Sequence, residues 1–242
     1  MTRTALVTGA CGGMGSATVA RLVADGVHVI ATDRGERAAT VAPEADYVAF
    51  DLLDGDPDEL FARLDGRGLD YLVNAAGVAL FDRDGSMLDI DESTWDITLG
   101  VNLHGLRKVT KAAVEHLRRG TGKSIVNVAS TAGIRGMDSP LDAYQVSKAA
   151  VVSLTQALAL QLAPEGIRVN TVCPGAILTP MIDYLYVDNP ERRADMESRT
   201  PLRRLGMPDE IAGAIAFLLS EDASFITATD LVVDGGWTAQ IK

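Results

Sequence analysis

The chain has 242 residues, 47% of them apolar and 23% charged, with a formal net charge of −11. That length and apolar share suit one α/β domain over residues 1–242 with a large core, and the acidity excludes the clustered basic face that a nucleic-acid partner would need. No apolar run of membrane-spanning length is expected, and the start leads straight into strand-like Ala5-Leu6-Val7, leaving no room for a signal peptide, so cytoplasmic residence is expected.

In chain order, apolar runs alternate with amphipathic segments of helical length, the pattern of a parallel sheet covered on both faces. Strands are expected at Thr4 to Val7, Val27 to Ala31, Tyr47 to Phe50, Tyr71 to Val73, Ser124 to Val128, Arg168 to Val172 and Leu231 to Val233. Helices are expected at about 14–25, 57–65, 93–119, 143–163 and 208–220. The fold class is therefore a Rossmann-like, doubly wound parallel sheet of seven strands in a single domain. Residues 179–206 break the alternation and read as a lid over a site. Cys11 and Cys173 fall at the ends of two different strands with no CxxC or Cys/His cluster; both read as small buried or half-buried residues, and no metal is expected.

The first strand runs into Thr8-Gly-Ala-Cys-Gly-Gly-Met-Gly15, a glycine turn opening a helix. Glycines at 9, 13 and 15 let the backbone approach a ligand, and the helix N-terminus, with the amide of Met14, offers free N–H groups and a favourable dipole to a pyrophosphate. The spacing differs from G-x-G-x-x-G, and no Lys-Ser/Thr follows, so the turn is not a P-loop. Roughly 20 residues on, Asp33 ends the second strand, where a carboxylate accepts both adenosine ribose hydroxyls and repels a 2′-phosphate. NAD is therefore expected over NADP, although Arg34 could compensate. Asp51 and the backbone at Leu52 fall where an adenine ring would lie; the alternative for Asp51 is a turn or cap.

Tyr144 and Lys148 lie four apart on one face of a helical segment. A phenol titrates near pH 10, so it needs a nearby cation to serve as a base at neutral pH; Lys148 is placed to lower the Tyr144 pKa and to bond a nicotinamide ribose. Ser130 ends the fifth strand, at the carboxyl edge where ligands of open α/β sheets bind, and would hold the substrate oxygen.

Together these stretches resemble the short-chain dehydrogenase/reductase family over essentially the whole chain. The matching pieces are Thr8-Gly9-x-x-x-Gly13-x-Gly15, Asp51, Asn74-Ala-Ala-Gly77, Asn102, Ser130, Tyr144-x-x-x-Lys148, Pro174-Gly175 with Thr179, and Asp234-Gly-Gly. The resemblance implies that Tyr144 is the acid/base, Ser130 polarises the substrate oxygen, Lys148 tunes and anchors, and Asn102 holds a proton-relay water. It implies that Asn74, Ala75 and Gly77 steady the central sheet and pass beside the cofactor, that Pro174, Gly175, Ile177 and Thr179 border the nicotinamide, and that the protein is a homotetramer. Ser130 and Tyr144 are 14 positions apart, one more than is usual in the family. The extra residue is assigned to the Gly136-Met-Asp-Ser-Pro140 loop, with Ser139 as a rival serine.

The substrate pocket is expected from Ile134, Met137, Leu141, Met181, Tyr184 and Leu185, an apolar set suiting a secondary alcohol or ketone on a cyclic, aromatic or steroid-like skeleton. The expected activity is that of an NAD-dependent alcohol dehydrogenase or ketoreductase. A non-catalytic NAD(H)-binding sensor or scaffold and an epimerase or dehydratase on the same fold are the alternatives; the sensor would be expected to lose one of the four catalytic residues, and such epimerases usually carry a larger C-terminal substrate region.

Overall fold

A computed structural model describes residues 2–240. Seven parallel strands form one sheet in the order β3-β2-β1-β4-β5-β6-β7: β1 Thr4–Thr8, β2 His28–Asp33, β3 Asp46–Ala49, β4 Tyr71–Asn74, β5 Ser124–Val128, β6 Arg168–Pro174 and β7 Asp230–Val233. The central strands bury both faces and so read as near-continuous apolar runs. Period-two alternation divides their side chains between two helical layers. Val7, Val73 and Val126 face a layer with Val19 and Leu22 of α1 (Gly13–Ala24) and Ile211 and Ile215 of α8 (Pro208–Leu219). Leu6, Leu72 and Ile125 face the opposite layer, with Val109, Ala113 and Leu117 of α4 (Leu106–Arg119) and Leu162 of α5 (Asp142–Leu162).

The order reverses between β1 and β4, and that switch point opens a crevice at the carboxyl edge of the sheet. The glycine turn after β1 lies at this crevice. The helix expected at 57–65 is a short α2 (Asp58–Phe61) continued by a 3-10 turn over Ala62–Leu64.

Three expectations need correction. The single helix over 93–119 is divided: α3 (Glu92–Leu99) passes through a π-turn, Gly100–Gly105, into α4. Glycine is favoured most at 105, where a Cβ would meet Leu52 Cβ at 2.7 Å, whereas one on Gly100 would meet only the mobile Cδ2 end of the exposed Leu53, at 2.8 Å. Residues 179–206 carry two helices, α6 (Asp183–Tyr186) and α7 (Pro190–Arg199). The signal for α7 is in the sequence: Asn189 caps it by accepting the Arg192 N–H at 3.0 Å, with Pro190 in the first turn. Finally, α5 is long and apolar enough to cross a membrane by length and composition alone. In this fold it is the crossover between β5 and β6, where Val151, Thr155 and Ala159 are buried.

Candidate active site

The cofactor half of the site starts at the glycine turn. Gly9 has φ +70°, and a Cβ there would come within 2.5 Å of the Ala76 nitrogen; one on Gly15 would come within 1.9 Å of the Gly9 oxygen. Only glycine lets the turn close onto α1 and onto the segment after β4. Gly12 forms the N-cap of α1 without a side-chain hydrogen bond, so the first amides of the helix face the crevice uncapped, as an anion site requires. Across the crevice, a Cβ on Gly13 would stand 3.0 Å from Thr179 Cγ2. Asp33 is anchored at the end of β2, its two oxygens accepting the Cys11 N–H at 2.9 Å and the Arg34 N–H at 2.8 Å. These features fit an adenine dinucleotide: the uncapped amides and glycines would hold its pyrophosphate, and the Asp33 carboxylate its adenosine ribose.

Several residues expected at the cofactor have their side chains engaged elsewhere. Asn74 donates to Thr110 Oγ1 at 3.0 Å and to Asn127 Oδ1 at 2.8 Å, inside the sheet-helix interface. Ile177 belongs to the core, and a Cβ on Gly206 would strike its Cδ1 at 2.4 Å. Met14, Leu52 and Ala75 pack against core clusters, leaving their backbone to the crevice. Asp51 closes its own turn by accepting the Leu53 N–H at 2.8 Å. Gly175 approaches Asp234 so closely that a Cβ would lie 2.7 Å from the Asp234 Cβ. Gly77 lies beside the catalytic groups, since a Cβ there would stand 3.1 Å from Lys148 Nζ and 3.4 Å from Asn102 Oδ1.

The catalytic half joins the ends of β4 and β5 to the first turns of α5. Ser130 Oγ accepts the Ala132 N–H at 3.1 Å, and its hydroxyl stands close enough to the Tyr144 phenol to act on its pKa, which leaves the long spacing between the two residues to the exposed 135–140 loop. Gly133 brings the turn after Ser130 against α5, where a Cβ would meet the Lys148 carbonyl carbon at 2.7 Å. Lys148 is buried, donates to the Val128 carbonyl at 3.0 Å, and has its Nζ 5.7 Å from the Tyr144 ring centroid. Ser139, the rival serine, is exposed in the loop.

Asn102 is held firmly in place. It is fully buried, accepts the Val78 N–H at 2.7 Å, and donates to the Val78 carbonyl at 2.9 Å and to Ser147 Oγ at 3.0 Å. Its side chain clamps the π-turn to Val78 and to α5. Ser147 in turn donates to the Tyr144 carbonyl at 2.7 Å. Sequence reasoning gave Ser147 no role, although it stands inside the Tyr144-to-Lys148 motif; its weight comes from Asn102, 45 positions away.

In the protein without cofactor, burial dominates the electrostatics of the site. Burial raises the Tyr144 phenol above its ordinary value, and the nearby Ser130 hydroxyl offsets this only in part. Burial also pushes the Lys148 ammonium down to about 8. A cation that is itself desolvated, and placed over the ring, does not make the phenol a base at neutral pH in the protein alone. Cys173, directly behind Ser130, is pushed up to about 12 by burial and by the Asp230 charge, so it stays a thiol.

Of the expected substrate residues, Ile134 packs partly against the core and Leu141 is buried at the N-cap of α5, so neither presents an open apolar surface. Met137 and Leu185 are half-buried. Met181 and Tyr184 are exposed, and the buried aromatic of α6 is Tyr186, under the Arg192 guanidinium.

A doubly wound sheet with a glycine turn at its switch point and a serine, tyrosine and lysine gathered at its carboxyl edge defines a class of nicotinamide-dependent oxidoreductase. The chain belongs to the short-chain dehydrogenase/reductase family. A family model described as enoyl-(acyl carrier protein) reductase matches residues 9–238. The human dehydrogenase/reductase SDR family member 4 is 38% identical over 252 aligned residues, covering 99% of this chain and 88% of its own. The cis-4-hydroxycyclohexanecarboxylate dehydrogenase of Sinomonas cyclohexanicum is 37% identical over 249, covering 98% and 97%. The solved structure of ElxO with NADP bound superposes with a TM-score of 0.88 at 28% identity, covering 99% of this chain and 100% of that one.

Proposed function

We propose that the protein is an NAD-dependent dehydrogenase or ketoreductase that moves a hydride between the nicotinamide and a secondary alcohol or ketone on a cyclic or aromatic skeleton. The observation that carries the reading is the gathering of Ser130, Tyr144 and Lys148, with the Lys148 ammonium 5.7 Å over the Tyr144 ring, at the carboxyl edge beside the glycine turn. The oxidised nicotinamide, when bound, supplies the hydride acceptor and a positive charge beside the site. Ser130 then orients the substrate oxygen, and Tyr144 takes its proton. Lys148 has no carboxylate partner among the described residues, which leaves its ammonium for the ribose and for the phenolate. With its side chain clamped to Val78 and Ser147, Asn102 would hold a relay water through its backbone or the remaining lone pair of Oδ1.

Asp33 supports NAD: its carboxylate is fixed by two backbone amides, and a 2′-phosphate would meet that charge at close range. The cyclohexanecarboxylate dehydrogenase among the relatives supports a cyclic alcohol, and ElxO marks NADP as the competing cofactor. A homotetramer is part of the reading. α5 leaves Val146 45% and Leu160 75% exposed on an apolar face, which a second copy would cover.

The test is NADH formation by the purified protein on a panel of cyclic, aromatic and steroidal secondary alcohols, with NADP in parallel. The reading expects turnover with NAD in marked excess over NADP. Turnover with NADP alone would remove the Asp33 argument, and tight NADH binding with no turnover across the panel would favour a sensor.

A further inference from the structure

The helix that carries Tyr144 and Lys148 starts without a cap of its own. Leu141 stands at the N-cap of α5 and has no acceptor side chain, and a helix start leaves its first amides without intrahelical partners. A segment some 60 positions earlier supplies them. Asp84 accepts the Ala143 N–H with one oxygen at 3.2 Å and the Tyr144 N–H with the other at 2.9 Å. The neighbouring Gly85 carbonyl accepts the Asp142 N–H at 3.0 Å, and Asp142 answers by accepting the Met87 N–H at 2.8 Å.

Asp84 is only 8% exposed, and its own turn is braced. Its amide donates to the Leu80 carbonyl at 2.7 Å, and Arg83 donates to Ser93 at the start of α3 at 2.8 Å. The carboxylate thus bonds the amide of the tyrosine whose hydroxyl lies beside Ser130. It also ties the start of α3, which leads into the Asn102 π-turn, to the start of α5.

We infer that Asp84 is a positioning residue for the reaction: by gripping the Tyr144 amide it sets the height of the phenol against Ser130 and Lys148. The inference rests on the oxidoreductase reading above. Asp84→Asn keeps the shape and one acceptor, while Asp84→Ala removes both acceptors.

Three readouts test it: amide exchange of the first turn of α5, tyrosinate absorbance taken as the difference from Tyr144→Phe in the same background, and turnover with NAD on whichever panel alcohol is used. The first two need no substrate. The expected results are faster exchange at Tyr144, a phenol that titrates higher with NAD present, and kcat lower by roughly tenfold for Asp84→Asn and about a hundredfold for Asp84→Ala, the scale of a misplacement near 1 Å. NADH affinity should stay within about twofold of wild type, since the glycine turn and Asp33 are untouched.

A lower Tm with unchanged titration and kcat would overturn the inference and leave Asp84 as a structural cap. If Asp84→Ala does not fold, Asp84→Asn decides between these outcomes. Failure of the underlying reading looks different: Tyr144→Phe itself would then turn over normally.

Discussion

The two sides of the cleft are built in opposite ways. On the sheet side, Ser130, Tyr144, Lys148, Asn102 and Ser147 are locked by short-range packing and by buried hydrogen bonds, most of them between residues far apart in sequence. On the other side, α6, α7 and the 135–140 loop are held by surface ion pairs, Arg199 with Asp138 and Arg193 with Glu197 among them, and they leave Met181, Tyr184 and Val187 exposed. The first side has one arrangement and the second can vary at little cost, since exposed ion pairs contribute little to stability. Under the proposed reading, reaction type belongs to the first side and substrate choice to the second.

The largest effect should come from breaking the rigid side at its proton acceptor. Tyr144→Phe is expected to lower kcat by about 10³-fold or more while NADH still binds, measured by steady-state kinetics beside a fluorescence titration. A variant that keeps normal turnover would remove Tyr144 from the chemistry.

Lys148→Met should also stop most turnover, yet make the protein more stable at neutral pH. The ammonium is buried with a folded-state pKa of about 8 against 10.5 when exposed. The unfolded chain therefore binds more protons than the native one between those values, and wild-type stability rises with pH across that window. Thermal unfolding at pH 7 should show the methionine variant ahead by roughly 3 kcal/mol, with the gap closing as pH passes from 8 towards 10.5. An equal gap at both ends would mean that the amine is not the destabilising group.

Asp33→Ser should raise the NADP-to-NAD ratio of kcat/KM by roughly tenfold to a hundredfold, the scale of removing one like-charge contact. No change would place the cofactor discrimination elsewhere.

The smallest effect belongs to the variable side. Asp138→Asn should change KM for a substrate by about threefold or less and leave kcat alone; a loss of kcat would put this loop on the rigid side.

Much of the rigid side was legible in the sequence because local rules dictate it. β5 runs over Ser124–Val128 as expected, since an apolar run between polar turns admits few readings. The glycines at 9 and 15 announce close backbone approach, and Tyr144 and Lys148 fall on one helix face by spacing alone. The rest depended on contacts that spacing does not encode. The π-turn arises where Gly100 and Gly105 approach Leu53 and Leu52. The clamp from Asn102 to Val78 and the packing of Ile177 beside Gly206 are set by the tertiary fold. The raised Tyr144 phenol follows from desolvation of its own hydroxyl, which charge and sequence distance cannot report.

That last point is where the account is most exposed. In the protein alone the phenol is a weak acid, so its use as a proton acceptor requires the oxidised cofactor beside it. The decisive measurement is the tyrosinate titration of Tyr144, as wild type minus Tyr144→Phe, without and with saturating NAD. The account predicts a pKa above 10 in the apoprotein, falling below that value when NAD is bound. A pKa unmoved by NAD in a protein that turns over alcohol would contradict it, and another group would have to take the proton.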